Sequence, residues 1–273
     1  MKYTAQSGKY ILKNFWHIFP FAIIPAFFFA LSADRESIRC AIETLLTGDI
    51  SSFHFSHLFR AISILNFASW QSVVFGLLGV VLIIVCVAMM LALLDKHMRI
   101  GKRTYNGLFS KLNDNLVSTA GYAFLLLVLY EVWSLVTAAL LHFFSMISNA
   151  VIAYLLAGVS FLGMHAVLIY VIGTVYLWLP CMQITGFKAM EALQYSYQLI
   201  APVKWRILLG QLGSLLFVEA LIAACAFFAP DGVVFYAAST AIYTALIMIY
   251  CVRMMIAYFD RDNIQRADLN RYY

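Results

Sequence analysis

Six apolar runs, each long enough to cross a bilayer, constrain this chain more than any other feature. They cover residues 15–32, 70–94, 120–144, 151–179, 206–229 and 233–257. A span needs about 20 apolar residues to cross roughly 30 Å of hydrocarbon. In that solvent the backbone N–H and C=O groups must be bonded inside the protein, and helices do this within one segment. The expected fold is all-α, a polytopic bundle of six spans. With their links the runs use up the chain, so 1–273 reads as a single integral membrane domain. A water-soluble fold fails on composition, because 64% of the residues are hydrophobic, 11% are charged and the mean hydropathy is +0.88. That leaves too little polar surface to face water.

The first run follows Lys2, Lys9 and Lys13 and ends near Ala30 and Ser32, a pattern a signal peptide could share. Pro20 and Pro25 inside it, with bulky Phe27, Phe28 and Phe29 beside the small residues, favour an uncleaved span. Charge orients the bundle. Of the 18 Lys and Arg residues, all but Arg35, Arg39 and Arg60 fall on segments or span ends that share one side if both termini lie in the cytoplasm. Cytoplasmic segments collect such residues. The expected location is therefore a bacterial cytoplasmic (inner) membrane, with the lipid bilayer as the main partner. The same rule accounts for the positive charge, so no nucleic acid partner is expected.

The links carry their own patterns. The extracytoplasmic loop 33–69 is helical, with Ile38, Ile42, Leu45 and Leu46 along one side and a stop at Gly48 and Asp49. Residues 53–67 read as amphipathic and leading into the second span without a break. His54 and His57 lie three apart, a spacing that can place both on one helical face. With no acidic or cysteine partner nearby they read as solvated. The five cysteines show no CxxC and no Cys/His cluster, so neither a disulfide framework nor a metal site is expected.

Two cytoplasmic links read as interfacial elbow helices, 107–118 and 186–200. In the first, Phe109, Leu112 and Leu116 make an apolar stripe. In the second, Met190, Leu193, Tyr197 and Ile200 make one, with Lys188, Glu191, Tyr195 and Gln198 displaced to the opposite face. Pro202 ends that helix. The exposed set Lys188, Glu191, Tyr195 and Gln198 is the candidate docking face for a cytoplasmic protein.

Three ionisable residues interrupt the spans: Glu131, His165 and Glu219. Counted from the inner ends at Ala120, Leu179 and Arg206, with a rise of about 1.5 Å per residue, they fall within roughly 5 Å of one depth. A charge at the bilayer centre costs about 2.5–3.5 kcal/mol, so each should face protein or water. They could form a polar cavity or proton relay, or simply bond helix to helix. No GxSxG, HExxH, Walker or Rossmann pattern is present, so neither catalytic residues nor a cofactor is assigned.

The order of span, EALQYSYQL segment and next span resembles uncharacterised bacterial six-span families. Among them is the membrane domain that precedes some glycerophosphodiester phosphodiesterases. The likeness rests on Glu191, Ala192, Leu193, Ser196 and Leu199, and with no phosphodiesterase domain present the activity is not implied. The chain also resembles ABC transporter permeases, whose EAA loop docks on an ATPase. Glu191-Ala192 matches the start of that loop, but its later glycine is missing and Pro202 comes early. The function expected is that of a non-catalytic accessory or transporter-like factor. The alternatives are a permease subunit coupled to an ATPase through the elbows, or an intramembrane enzyme using Glu131, His165 and Glu219.

Overall fold

The architecture comes from a computed structural model, which describes residues 2–48, 53–67 and 69–269. Ten α-helices, and no strand, occur among the described residues: α1 (Lys2–Ser32), α2 (Arg35–Thr47), α3 (Phe55–Ile62), α4 (Trp70–Ile100), α5 (Leu108–Ser145), α6 (Ala150–Thr174), α7 (Trp178–Thr185), α8 (Ala189–Ile200), α9 (Lys204–Phe228) and α10 (Gly232–Arg261). Six helical stretches are long and apolar enough to cross a membrane, the fourth comprising α6 with α7 and the fifth α8 with α9. Their outer faces leave Phe124, Leu155, Leu209 and Phe217 more than half exposed, a surface suited to lipid and not to water. Asp49 of the expected stop, and Arg271 among the charges, lie outside the described residues.

The core gathers at one end of the bundle around the last turns of α10. Every residue from 251 to 259 is buried, which no surface helix allows. α1 packs most extensively on α10 and α4. It begins at Lys2 and not near residue 15, and its first turns lie against the end of α10. There Lys2 Nζ meets Asp260 at 2.9 Å and the Tyr3 hydroxyl donates to the same carboxylate at 2.7 Å. α1 is kinked at Asn14 (φ −121°, ψ 21°), whose Nδ2 donates to the Tyr10 carbonyl at 2.9 Å. The side chain thereby competes for an acceptor of the helix ladder.

Helix starts follow local chemistry. Asp34, Ser69, Asn149 and Asp231 each accept a backbone N–H from three residues on, the usual work of an N-cap. Gly101, Gly107 and Gly186 turn the chain with φ near +75°, where a Cβ would be strained.

The structure corrects three expected boundaries. Residues 107–118 are not a separate elbow, since α5 runs unbroken for 38 residues from Leu108. At 1.5 Å per residue that is about 57 Å, nearly twice the hydrocarbon thickness. The fourth run breaks at residues 175–177 between α6 and α7. Pro180 explains the position, because its ring excludes the carbonyl four residues back and it has no N–H to donate; within the first turn of α7 neither costs anything. Third, residues 53–67 do not lead smoothly into the second span. α3 stops at Ile62, and residues 63–67 and 69, ahead of α4, are non-helical.

Candidate functional site

After α3 ends at Ile62 the chain breaks before α4, and Glu131 on α5 closes this break. Its Oε1 accepts the N–H groups of Ile64 at 3.0 Å and Leu65 at 2.9 Å. Ser63 Oγ lies 2.7 Å from Glu131 Oε2 and 3.0 Å from the Leu65 carbonyl, so its one proton serves both. Tyr130 donates to the Ile62 carbonyl at 3.1 Å, Ser32 Oγ lies 3.3 Å from the Ile64 carbonyl, and Asn66 Nδ2 donates to the Ser32 carbonyl at 3.1 Å. These bonds take up backbone groups of Ile62, Ile64 and Leu65 that a broken helix sets free. Higher on α5, His142 Nδ1 donates to the Phe53 carbonyl at 2.7 Å. From His142 to Glu131, the chain from Phe53 to Leu65 therefore descends roughly 16 Å along α5.

His165 and Glu219 form a separate pair between α6 and α9. His165 is wholly buried, and its Nε2 lies 2.7 Å from Glu219 Oε2. Its Nδ1 lies 2.8 Å from the Phe161 carbonyl, which can only accept, so Nδ1 carries a proton. A single further proton is then shared between Nε2 and Oε2. Trp133 meets the imidazole edge-on, with ring centroids 4.7 Å apart, and donates its own N–H to the Met164 carbonyl. Glu219 Oε1 is buried with no partner among the described residues, although the side chain as a whole is 27% exposed. Of the three residues singled out by depth, His165 and Glu219 are bonded to each other and Glu131 belongs to the α3–α4 link.

On α8, Ala192, Ser196, Leu199 and Ile200 pack against protein, so Ile200 of the expected lipid-facing stripe turns inward. Met190 and Tyr197 are exposed apolar groups, on a different face from the packed stripe. Of the expected docking face, Tyr195 bonds Asp262, and Glu191 reaches back to accept the Lys188 N–H at the start of α8. Lys188 and Gln198 are the exposed members left over. The His54 and His57 rings lie 6.2 Å apart, and no group of three metal-binding side chains occurs among the described residues. A cleft of about 420 Å³ between α4, α5 and α7 is lined by Asp95, Lys96, Arg99, Asn115 and Gln183.

Sequence reasoning missed one residue. Arg253, counted only as an inner-side charge, is 3% exposed on α10. Its Nε donates to the Tyr176 hydroxyl at 3.3 Å, and its Nη1 to the Gly210 carbonyl at 2.8 Å and Ser214 Oγ at 3.0 Å. None of these acceptors carries a charge. The available signal was its place inside the sixth apolar run, four residues before its end.

The chain matches no known protein family, no curated protein and no solved structure. The functional reading therefore stands on geometry.

Proposed function

We propose that the chain is a multi-pass protein of a bacterial cytoplasmic membrane, with both termini in the cytoplasm, acting as a non-catalytic, transporter-like factor. In this reading α8 is an elbow at the cytoplasmic surface, Met190 and Tyr197 reach into lipid, and the basic end of the bundle faces the cytosol. The observation that carries it is the His165–Glu219 pair. A shared proton between two side chains on different helices, with one carboxylate oxygen unpartnered, suits a group that takes up and releases a proton as the helices shift. The ATPase-coupled alternative has less support, because Glu191 and Tyr195 are already bonded within the chain.

Proteoliposomes loaded with a pH-sensitive dye test the proposal. Vesicles holding the protein should dissipate an imposed pH gradient faster than empty ones, and Glu219→Gln should bring the rate back to the empty level. Equal rates for protein-bearing and empty vesicles, or full activity in Glu219→Gln, would remove the pair from any transport role.

A further inference from the structure

Arg253 is a buried cation whose bonded partners are all neutral, and one of its nitrogens is still free. Nε and Nη1 are used by Tyr176, Gly210 and Ser214, whereas among the described residues Nη2 has no hydrogen bond and no carboxylate pairs with the guanidinium. The side chain lines a small pocket of about 10 Å³ that it shares with Lys2, Tyr3, Thr4, Arg206 and Ile207. That is room for about one water-sized atom. Three cations thus converge on one opening between the first turn of α1, the start of α9 and the end of α10. No carboxylate lines the pocket among the described residues, and Asp260 beside it is already held by Lys2 and Tyr3. Arg206 is exposed and makes no ion pair among the described residues.

We infer that this opening is a binding site for a phosphate group, with one oxygen seated against Arg253 and the remainder held at the mouth by Arg206 and Lys2. An arginine fork is the side chain best matched to phosphate geometry. The site goes beyond the transport reading and is independent of it. It is also distinct from the general attraction of basic segments for anionic membranes, which needs no pocket and no buried arginine. The phosphate could belong to an anionic lipid headgroup or to a soluble phosphate compound, since the chemistry at the opening is the same.

The test is binding and thermal stability of the full chain in phosphatidylcholine nanodiscs. One arm adds phosphatidylglycerol to the discs and the other adds inorganic phosphate to the buffer. The expected result is a rise in Tm, with Arg206→Gln weakening the ligand about tenfold, as loss of one charged contact should. Lys188→Gln removes the same charge from the same end, outside the pocket, and should leave binding unchanged. Arg253→Met should abolish the shift; if it does not fold, Arg206→Gln and Gly210→Ala carry the test. A Cβ at Gly210 would stand 3.5 Å from Arg253 Nη1 and 3.4 Å from Thr4 Oγ1, narrowing the pocket without removing charge. A shift with phosphatidylglycerol alone assigns a lipid, and a shift with inorganic phosphate assigns a soluble ligand. No shift in either arm, or equal loss in Arg206→Gln and Lys188→Gln, overturns the site.

Discussion

Glu131 holds Leu65 by its backbone: a carboxylate oxygen on α5 accepts the Leu65 N–H at 2.9 Å, across 66 residues of chain. The same oxygen takes the neighbouring N–H of Ile64, so one side chain substitutes for two rungs of a helix. An acidic residue in an apolar run invites a functional reading. Here its bonds explain its presence, since the break beside it exposes donors that lipid cannot satisfy.

Glu131→Ala should therefore destabilise the protein by about 3 kcal/mol, because two backbone donors and a serine lose a charged acceptor together. Glu131→Gln should cost less, as its amide oxygen can still take both N–H groups. Limited proteolysis should show new cleavage between Ile62 and Trp70 in the alanine variant. Unchanged Tm and cleavage in that variant would mean that the link holds itself.

The shared proton of His165 and Glu219 predicts a spectroscopic state. Nitrogen NMR shifts of His165 should report a protonated Nδ1 throughout, with only Nε2 changing. A neutral ring with its proton on Nε2 alone would contradict the Phe161 contact. Glu219→Gln should stay within about 1 kcal/mol of the parent in stability, since its amide can donate to Nε2. Glu219→Ala should cost roughly 2–3 kcal/mol by stranding a buried imidazole.

Helices α6 and α9 approach closely at Gly173, where an added Cβ would overlap the Leu208 side chain. Gly173→Ala should lower stability by about 1–3 kcal/mol, the usual range for overpacking. Adding Leu208→Ala should recover part of it, a coupling that a double-mutant cycle in Tm would read. Strict additivity would show that the two helices are free to part.

Topology has a built-in reporter, because Cys40 on α2 is the exposed cysteine among the five and Cys86, Cys181 and Cys251 are buried. A membrane-impermeant maleimide should label Cys40 in cells whose outer barrier is opened and whose inner membrane is intact. A Cys40→Ser variant carrying Lys188→Cys should label only after the inner membrane is permeabilised. The reverse pattern would invert the orientation.

The six long apolar helices are plain in the sequence because a lipid-facing surface leaves its demand on composition, residue after residue. The two broken helices are not, for different reasons. At residues 175–177 a local mark exists in Pro180, hidden by the unbroken hydrophobicity around it. The break after Ile62 is marked locally only by Ser63, Asn66 and the Ser69 cap, because the other groups that make it tolerable, Ser32, Tyr130 and Glu131, come from distant parts of the chain. Depth counting brought His165 and Glu219 to one level but could not reveal that Glu131 turns to another partner. Which residues share a level follows from the rise of a helix, and which ones meet follows from how neighbouring helices are rotated. Arg253 shows the same limit, since counting a charge by its sign says nothing of its burial.

The crowded stretch of α10 at residues 251–259 also bears on how the chain is made. The helix that α1 packs on most is the last of the ten to leave the ribosome. Until then the inward side of α1, with Ile18, Ala22 and Ala26, has only part of its final surroundings. Assembly of this part of the bundle thus waits on α10: the helix that completes the surroundings of α1 is separated from it by the making of eight others.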